Sequence, residues 1–221
     1  MIRLHLIVEG QTEETFARDI LAPSLGFCNV FADVRCTMTG RKHGRIFRGG
    51  LVSYEKVRHD IELWMRQDRK SDSRFTTMFD LYRLPNDFPG YGEGLGKTDV
   101  YDRIALLEKE FANDVGRDYF IPYIQVHEFE ALLFAAPEKF LSAFPGREKQ
   151  TESLIRIRDE FRTPEHINND DPPSKKILRI IPDYDKVEDG TMIVREIGLN
   201  AVRQACLHFD EWMGKLEVLD D

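Results

Sequence analysis

Acidic side chains directly follow three separate segments that have the apolar, β-branched composition of strands. They are Glu9, Asp80, and the pair Glu128 and Glu130. In open α/β sheets, ligands bind beyond the carboxyl ends of the strands, so we expect these acids to converge if their strands are neighbours. Clustered carboxylates repel one another unless a cation neutralises them, and hard oxygen ligands suit Mg²⁺ or Mn²⁺. The pattern therefore predicts a divalent-metal site at one edge of a sheet.

Glu13 places a second acid close to Glu9 in the sequence. One acid at a strand end and another in the first helical turn can reach the same metal from two sides. Gly10, between them, permits a sharp turn. The alternative interpretation is that Glu13 and its neighbour Glu14 only complement the positive end of the helix dipole.

A basic segment without any acid follows the second strand-like run. It covers 39–50 and carries Arg41, Lys42, Arg45 and Arg48. These side chains could hold the phosphates that flank a cleaved bond, a contact that positions a substrate without reading its sequence. The alternative is an ordinary solvated loop.

Two adjacent lysines late in the chain are a second basic candidate. Lys175 and Lys176 follow Ser174, which we expect to cap a helix after two prolines. A cation in the first turn of a helix opposes the helix dipole. This unfavourable placement favours a functional role for one of the two lysines.

The elements that must position these residues alternate between strand-like and helical patterns. Strand-like runs lie at 3–8, 28–38, 74–79 and 119–126, and helical stretches lie between them at 12–25, 53–67 and 99–113. This alternation requires crossover connections, so it predicts an α/β fold with a mainly parallel sheet. The last third is predicted to be helical, with a final helix from about Val194 to Leu219. No segment resembles a linker, so we predict one domain over 1–221, with an α/β core at 1–135 and a mostly helical extension at 136–221.

Composition excludes several classes of function. The net charge of −8 argues against a protein that coats DNA by bulk electrostatics, but it allows a nuclease whose acids recruit metal ions. No apolar run approaches the roughly 20 residues that span a bilayer, and the start lacks the layout of a signal peptide. The three cysteines are widely spaced without a CxxC pair, which predicts reduced thiols and a cytoplasmic location. Neither a Walker motif nor a GxSxG nucleophile motif occurs.

Four short motifs together resemble a known family. The run VEGQTE at 8–13 looks like the acidic motif that opens a Toprim domain, a fold shared by topoisomerases, bacterial primases and OLD-type nucleases. With FDLYRLP at 79–85, HEFEALLF at 127–134 and PSKK at 173–176, nearly the whole chain resembles a group of short Toprim-like bacterial proteins. Members of that group are often associated with ATPases of the ABC or AAA type in phage defence. The resemblance implies a Toprim-like Rossmannoid fold and an ATPase partner.

The resemblance also implies roles for the early acids. Glu9 matches the Toprim glutamate, and Glu13 matches the second acid that OLD-type nucleases place four residues later. Asp80 matches the first aspartate of the Toprim acidic strand end. The usual second aspartate, two residues further on, is Tyr82 here. This departure removes one expected metal ligand.

The later motifs supply candidates for what is missing. Glu128, Glu130 or both could provide the oxygens that Tyr82 cannot. Lys175 or Lys176 resembles the late lysine that OLD-type nucleases use near the scissile phosphate, and the sequence leaves open which of the two it is.

Three hypotheses for the function follow. The first is a nuclease of Toprim type in which one or two Mg²⁺ or Mn²⁺ ions bind a phosphodiester, in DNA in preference to RNA, and activate water. The second is a non-catalytic Toprim-like module that docks a partner ATPase or nucleic acid. The third is phosphoryl transfer or hydrolysis on a small phosphorylated ligand.

Overall fold

A computed structural model describes residues 1–42, 45–48, 51, 53–167 and 171–220, with only the backbone described at 38–42 and 45–48. The chain divides into two compact units. The first unit comprises Met1–Ile124 and Lys215–Asp221, and the second comprises Gln125–Gly214. The organisation as one domain with a boundary near residue 135 stays a prediction.

A mainly parallel sheet forms the centre of the first unit. The strands are β1 (Ile2–Val8), β2 (Val30–Cys36), β3 (Met38–Lys42), β4 (Arg45–Arg48), β5 (Ser73–Asp80), β6 (Phe120–Ile121) and β7 (Ile124–Gln125). The sheet order is β2-β1-β5-β6, with β7 also paired to β5, and the β1–β2, β1–β5 and β5–β6 pairs are parallel. The strands β3 and β4 form a separate antiparallel hairpin. β1 is apolar along most of its length because a strand inside a parallel sheet is covered on both faces.

The strand predicted at 119–126 is interrupted. It forms the two-residue strands β6 and β7 with Pro122 between them. Proline has no amide hydrogen to donate to the ladder, so it is confined to strand ends and edges. The side chain of Thr77 bridges the gap, since its hydroxyl hydrogen-bonds the backbone of Tyr123.

Helices connect the strands of the first unit. They are α1 (Gln11–Phe16), a π-helical segment (Ala17–Leu21), α2 (Ala22–Gly26), α3 (Tyr54–Gln67), α4 (Tyr91–Gly94) and α5 (Val100–Val115). Asp99 caps α5, because its carboxylate accepts hydrogen bonds from the amides of Tyr101 at 2.8 Å and Asp102 at 3.1 Å. Gly116 ends α5 in the left-handed conformation, with φ of 62°.

The chain after β7 contains helices and no strands among its described residues. The α-helices are α6 (Phe140–Ala143), α7 (Glu148–Asp159), α8 (Pro173–Ile180), α9 (Glu188–Ile197), α10 (Leu199–Ala205) and α11 (Leu207–Glu217). The predicted single final helix is wrong, because the chain breaks at Gly198, whose φ is 82°, and again at Cys206. The buried carboxylate of Glu165 satisfies the start of α11 by accepting hydrogen bonds from the amides of His208 and Phe209.

The predicted α/β class is confirmed, with a mainly parallel sheet, flanking helices and a helical C-terminal third. Across the part of the chain that the structure describes, no helix has the length and apolarity needed to cross a bilayer.

The core of the first unit is centred on the ring of Phe111 in α5. The rings of Phe120, Phe88, Tyr54 and Phe79 lie 4.9, 5.0, 5.7 and 6.2 Å from it, between centroids. Three of these contacts are edge-to-face, a favourable arrangement for aromatic pairs. Phe111 therefore joins α3, α5 and the sheet in one cluster.

We predict that Phe111→Ala lowers the free energy of unfolding by about 3–5 kcal/mol, because it removes a buried ring and leaves a cavity. Urea denaturation followed by circular dichroism measures the change. Phe27→Ala is the matched control, since that side chain is 93% exposed and we expect a change within about 0.5 kcal/mol. Equal effects of the two substitutions would contradict the central position of Phe111.

Candidate metal site at the strand ends

The structure brings Glu9 and Asp80 together. β1 and β5 are parallel neighbours in which Val8 lies opposite Met78, so both chains leave the same edge of the sheet. Glu9 Oε2 accepts a hydrogen bond from the amide of Asp80 at 3.3 Å. Both side chains are buried, with 4% and 6% of their surface exposed. Two acids that are 71 positions apart in the sequence are thus in contact at the carboxyl ends of the strands.

The neighbouring strand holds the backbone of Glu9. The hydroxyl of Thr37 and the thiol of Cys36 both donate to the Glu9 carbonyl, each at 3.4 Å. The amide of Thr37 donates to the carbonyl of Val8 at 2.9 Å. These contacts hold the acid on a rigid element, which a site needs if its ligands are to keep their geometry.

Glu13 lies in the first turn of α1 and is 7% exposed. The helix starts at Gln11, immediately after Gly10. The chain bends at Glu9 and Gly10, but the backbone of Gly10 is extended, with φ of −144° and ψ of −172°, a conformation that any residue can adopt. The bend between β1 and α1 therefore does not require a glycine.

No group of three or more His, Cys, Asp or Glu side chains is arranged to hold an ion within the described ranges. The residues at the strand ends do fit a less enclosed site. Mg²⁺ is usually held by one or two carboxylates, and it keeps water molecules and substrate oxygens as its other ligands. Glu9 and Asp80 match this donor set. Tyr82, at the position of the usual second aspartate, is 52% exposed in the turn Leu81–Arg83.

Glu128 and Glu130 belong to the second unit, where they share a cation that the sequence analysis missed. Lys186 Nζ lies 2.9 Å from Glu130 Oε1 and 3.8 Å from Glu128 Oε2. Both carboxylates are buried, whereas Lys186 is 38% exposed. An ammonium group thus supplies positive charge where the sequence predicted a metal. The acid-rich surroundings of Lys186 in the run DYDKVED gave only a weak signal.

Burial and the charge of Glu128 raise the pKa of Glu130 to about 7, against the opposing effect of Lys186. The buried hydroxyl of Tyr184 has no hydrogen-bond partner in the described part of the chain, and burial raises its pKa well above the usual range. Gly190 allows this packing, because a Cβ there would lie 2.7 Å from the Tyr184 hydroxyl. His127 precedes Glu128 with a φ of 61°, an uncommon conformation for a residue other than glycine.

The predicted cap at Ser174 is wrong. α8 begins at Pro173, a favoured first position because its missing amide hydrogen would have no partner there. Ser174 lies inside the first turn, and its amide donates to Glu128 Oε1. Lys175 is exposed, and Lys176 is half-buried with Nζ 5.9 Å from the centre of the Phe161 ring. The catalytic role of either lysine stays a prediction.

The basic candidates Arg41, Lys42, Arg45 and Arg48 lie on the β3–β4 hairpin. Their side chains lie outside the described residues, so their proposed contact with phosphate stays a prediction.

Comparison with known proteins places the chain in a family. The family described as "Domain of unknown function (DUF4276)" matches residues 8–217. The chain belongs to the DUF4276 family. All the acids and lysines predicted for the site lie within the DUF4276 match.

No curated protein matches this DUF4276 chain. Two solved structures of the C-terminal region of the Xanthomonas campestris pv. campestris OLD protein are similar to it, one phased with mercury and one with iodine. The first has 13% identity, a TM-score of 0.41, and coverage of 97% of this chain and 98% of that one. The second has 16% identity, a TM-score of 0.40, and coverage of 97% of each chain.

We predict that Glu130 makes the stability of the DUF4276 protein depend on pH. Its pKa is raised in the folded protein. Its contribution to the free energy of unfolding is therefore fully present below the ordinary pKa of 4.5 and is lost as the pH rises through about 7. Glu130→Gln does not titrate. Relative to that variant, the wild type should lose about 3 kcal/mol of unfolding free energy between these two pH values.

Urea denaturation across this pH range measures the difference. Glu138→Gln is the control, because Glu138 is an exposed carboxyl of the same unit and should leave the pH dependence unchanged. Parallel pH profiles for wild type and Glu130→Gln would rule out a raised pKa at Glu130.

Proposed function

We propose that the protein is a metal-dependent hydrolase of phosphodiester bonds in nucleic acid, with Glu9 and Asp80 as its metal-binding carboxylates. One observation carries the proposal. Two buried acids meet at the carboxyl ends of neighbouring parallel strands, with Glu9 Oε2 bonded to the amide of Asp80. This is the edge at which open α/β sheets bind their ligands.

Electrostatics supports a cation between these two acids. Burial removes most of the hydration of each carboxylate. The amide of Asp80 holds one oxygen of Glu9 at this edge of the sheet. One divalent ion would neutralise both carboxylates, and oxygen ligands of this kind suit Mg²⁺ or Mn²⁺.

The residues around the site have separate tasks in this proposal. Glu9 and Asp80 would hold the ion, and Glu13, buried in the first turn of α1, is the third candidate ligand. The amide of Asp80 orients the carboxylate of Glu9, while Cys36 and Thr37 hold its backbone. A bound metal supplies polarisation of the phosphoryl group and an activated water.

Tyr82 is compatible with a metal site at this edge of the sheet. Because tyrosine replaces the second aspartate of the Toprim pattern, the protein offers fewer carboxylates at this edge. The ion would then keep more water or substrate oxygens in its coordination shell, as Mg²⁺ commonly does in sites that bind phosphates.

The resemblance of 8–13 to the opening motif of Toprim domains supports nucleic acid as the substrate class. With a net charge of −8, the surface as a whole repels a polyanion. Productive binding should therefore depend strictly on divalent ions. We extend the proposal to an ATPase partner of the ABC or AAA type, which that same resemblance implies.

We predict that Glu9→Gln and Asp80→Asn each reduce Mg²⁺- or Mn²⁺-dependent cleavage of DNA or RNA on the order of 100-fold. Loss of a residue that only hydrogen-bonds a metal ligand typically lowers metal affinity or activity about 10–100-fold, and these two residues are direct ligands in the proposal. Both variants keep the shape of the side chain. Cleavage of labelled single- and double-stranded substrates measures the effect, and calorimetry with Mn²⁺ measures ion binding.

Glu55→Gln is the control, an exposed acid in the first turn of α3 whose loss should leave cleavage unchanged. If the wild type binds no divalent ion and cleaves no polymer, even with an ATPase partner added, the hydrolase proposal fails and the binding module is the better account. Hydrolysis of short nucleotides without cleavage of polymers would instead indicate a phosphatase acting on small ligands.

A further inference from the structure

A cavity of about 460 Å³ opens at the opposite edge of the sheet in the first unit. Ser73, the first residue of β5, and Tyr119, just before β6, line it at the amino ends of these strands. Asp80 ends β5, and eight extended residues span about 23 Å. A ligand in this cavity therefore lies too far from Glu9 and Asp80 to be the reacting group there.

The lining of the cavity is strongly cationic. It includes five basic side chains, Arg58, Arg66, Arg69, Lys70 and Arg117, and two acidic ones, Glu62 and Asp68, which leaves a surplus of three positive charges. This surplus lies on a chain whose net charge is −8. The cavity therefore has a sign of charge opposite to that of the protein as a whole.

Both acids of the lining are already engaged. Glu62 pairs with Arg58 and, at 3.1 Å, with Arg66. Asp68 is bound by Arg3 and His5, each at 2.9 Å. These contacts leave neither acid as a dedicated counter-ion for the other cations of the cavity.

Three cations of the lining lack an acidic partner. Arg69, Lys70 and Arg117 are exposed, and none forms an ion pair with any residue that the structure describes. The chain places them there through local geometry. Arg69 and Lys70 follow the end of α3, and Arg117 follows the left-handed Gly116 that ends α5.

The helix dipole accounts for only part of this charge. α3 and α5 both end at the cavity, and the carboxyl end of a helix carries about half a negative charge. The two ends together offset about one of the three surplus charges. The remainder is available for an anionic ligand.

We propose that this cavity binds a small phosphorylated polyanion of nucleotide size. Its phosphates would lie against Arg69, Lys70 and Arg117. Its less polar part would lie against Met65 and Val115, the two buried apolar residues of the lining. The volume falls within the usual range for small-ligand pockets, about 300–1,000 Å³. A nucleic-acid strand, in contrast, needs an extended basic groove that follows its backbone.

The test uses the full chain with EDTA present, so that a metal site elsewhere does not contribute. Calorimetry measures binding of ATP, inorganic tripolyphosphate, inorganic phosphate and a short oligonucleotide. We expect ATP or tripolyphosphate to bind, with an affinity that falls at high salt because the cations are exposed. If ATP binds more tightly than tripolyphosphate, the base contributes to binding through Met65 and Val115. If the two bind equally, the cavity recognises the phosphates alone.

The triple variant Arg69→Ala, Lys70→Ala, Arg117→Ala should weaken this binding at least about tenfold. Its charge-matched control is Lys56→Ala, Lys97→Ala, Lys109→Ala, which removes three exposed cations of the same unit outside the cavity. Circular dichroism checks that both fold. The proposal is overturned if neither ATP nor tripolyphosphate binds, if both triple variants weaken binding equally, or if only the oligonucleotide binds.

Discussion

The parallel pairing of β1 with β5 is the constraint on which the candidate site depends. Val8 lies opposite Met78, so the residues that follow them leave the sheet side by side. A register shift of one residue would turn the side chains of a strand to the other face. This register permits the hydrogen bond between Glu9 and the amide of Asp80, and through it the pairing of two acids from distant parts of the chain.

Buried acids occur in both units, and the contacts that the structure shows for them differ. In the second unit, Lys186 lies between Glu128 and Glu130 and supplies an ammonium charge. In the first unit, a neutral amide bonds to Glu9.

The sheet of the first unit also separates its charges along the strand direction. Acids lie at the carboxyl ends of β1 and β5, and a surplus of cations lines the cavity at the amino ends of β5 and β6. Parallel pairing makes this possible, because all amino ends of such a sheet lie on one edge and all carboxyl ends on the other. The two edges therefore carry groups of opposite charge.

The α/β class, the parallel sheet and the acids at the ends of its strands could be predicted from the sequence, because apolar periodicity and turn residues act locally. Glu9 and Asp80 could be selected in this way, since each directly ends an apolar run. Their bond, however, depends on strand order and register, which are set by long-range packing.

The ion pairs of Lys186 could not be predicted from the sequence either, because its partners lie more than fifty positions earlier in the chain. The same holds for the basic cavity, since it combines the ends of two helices and the starts of two strands. Which charged groups contact one another depends on their distance in the folded protein, and the sequence specifies only their separation along the chain.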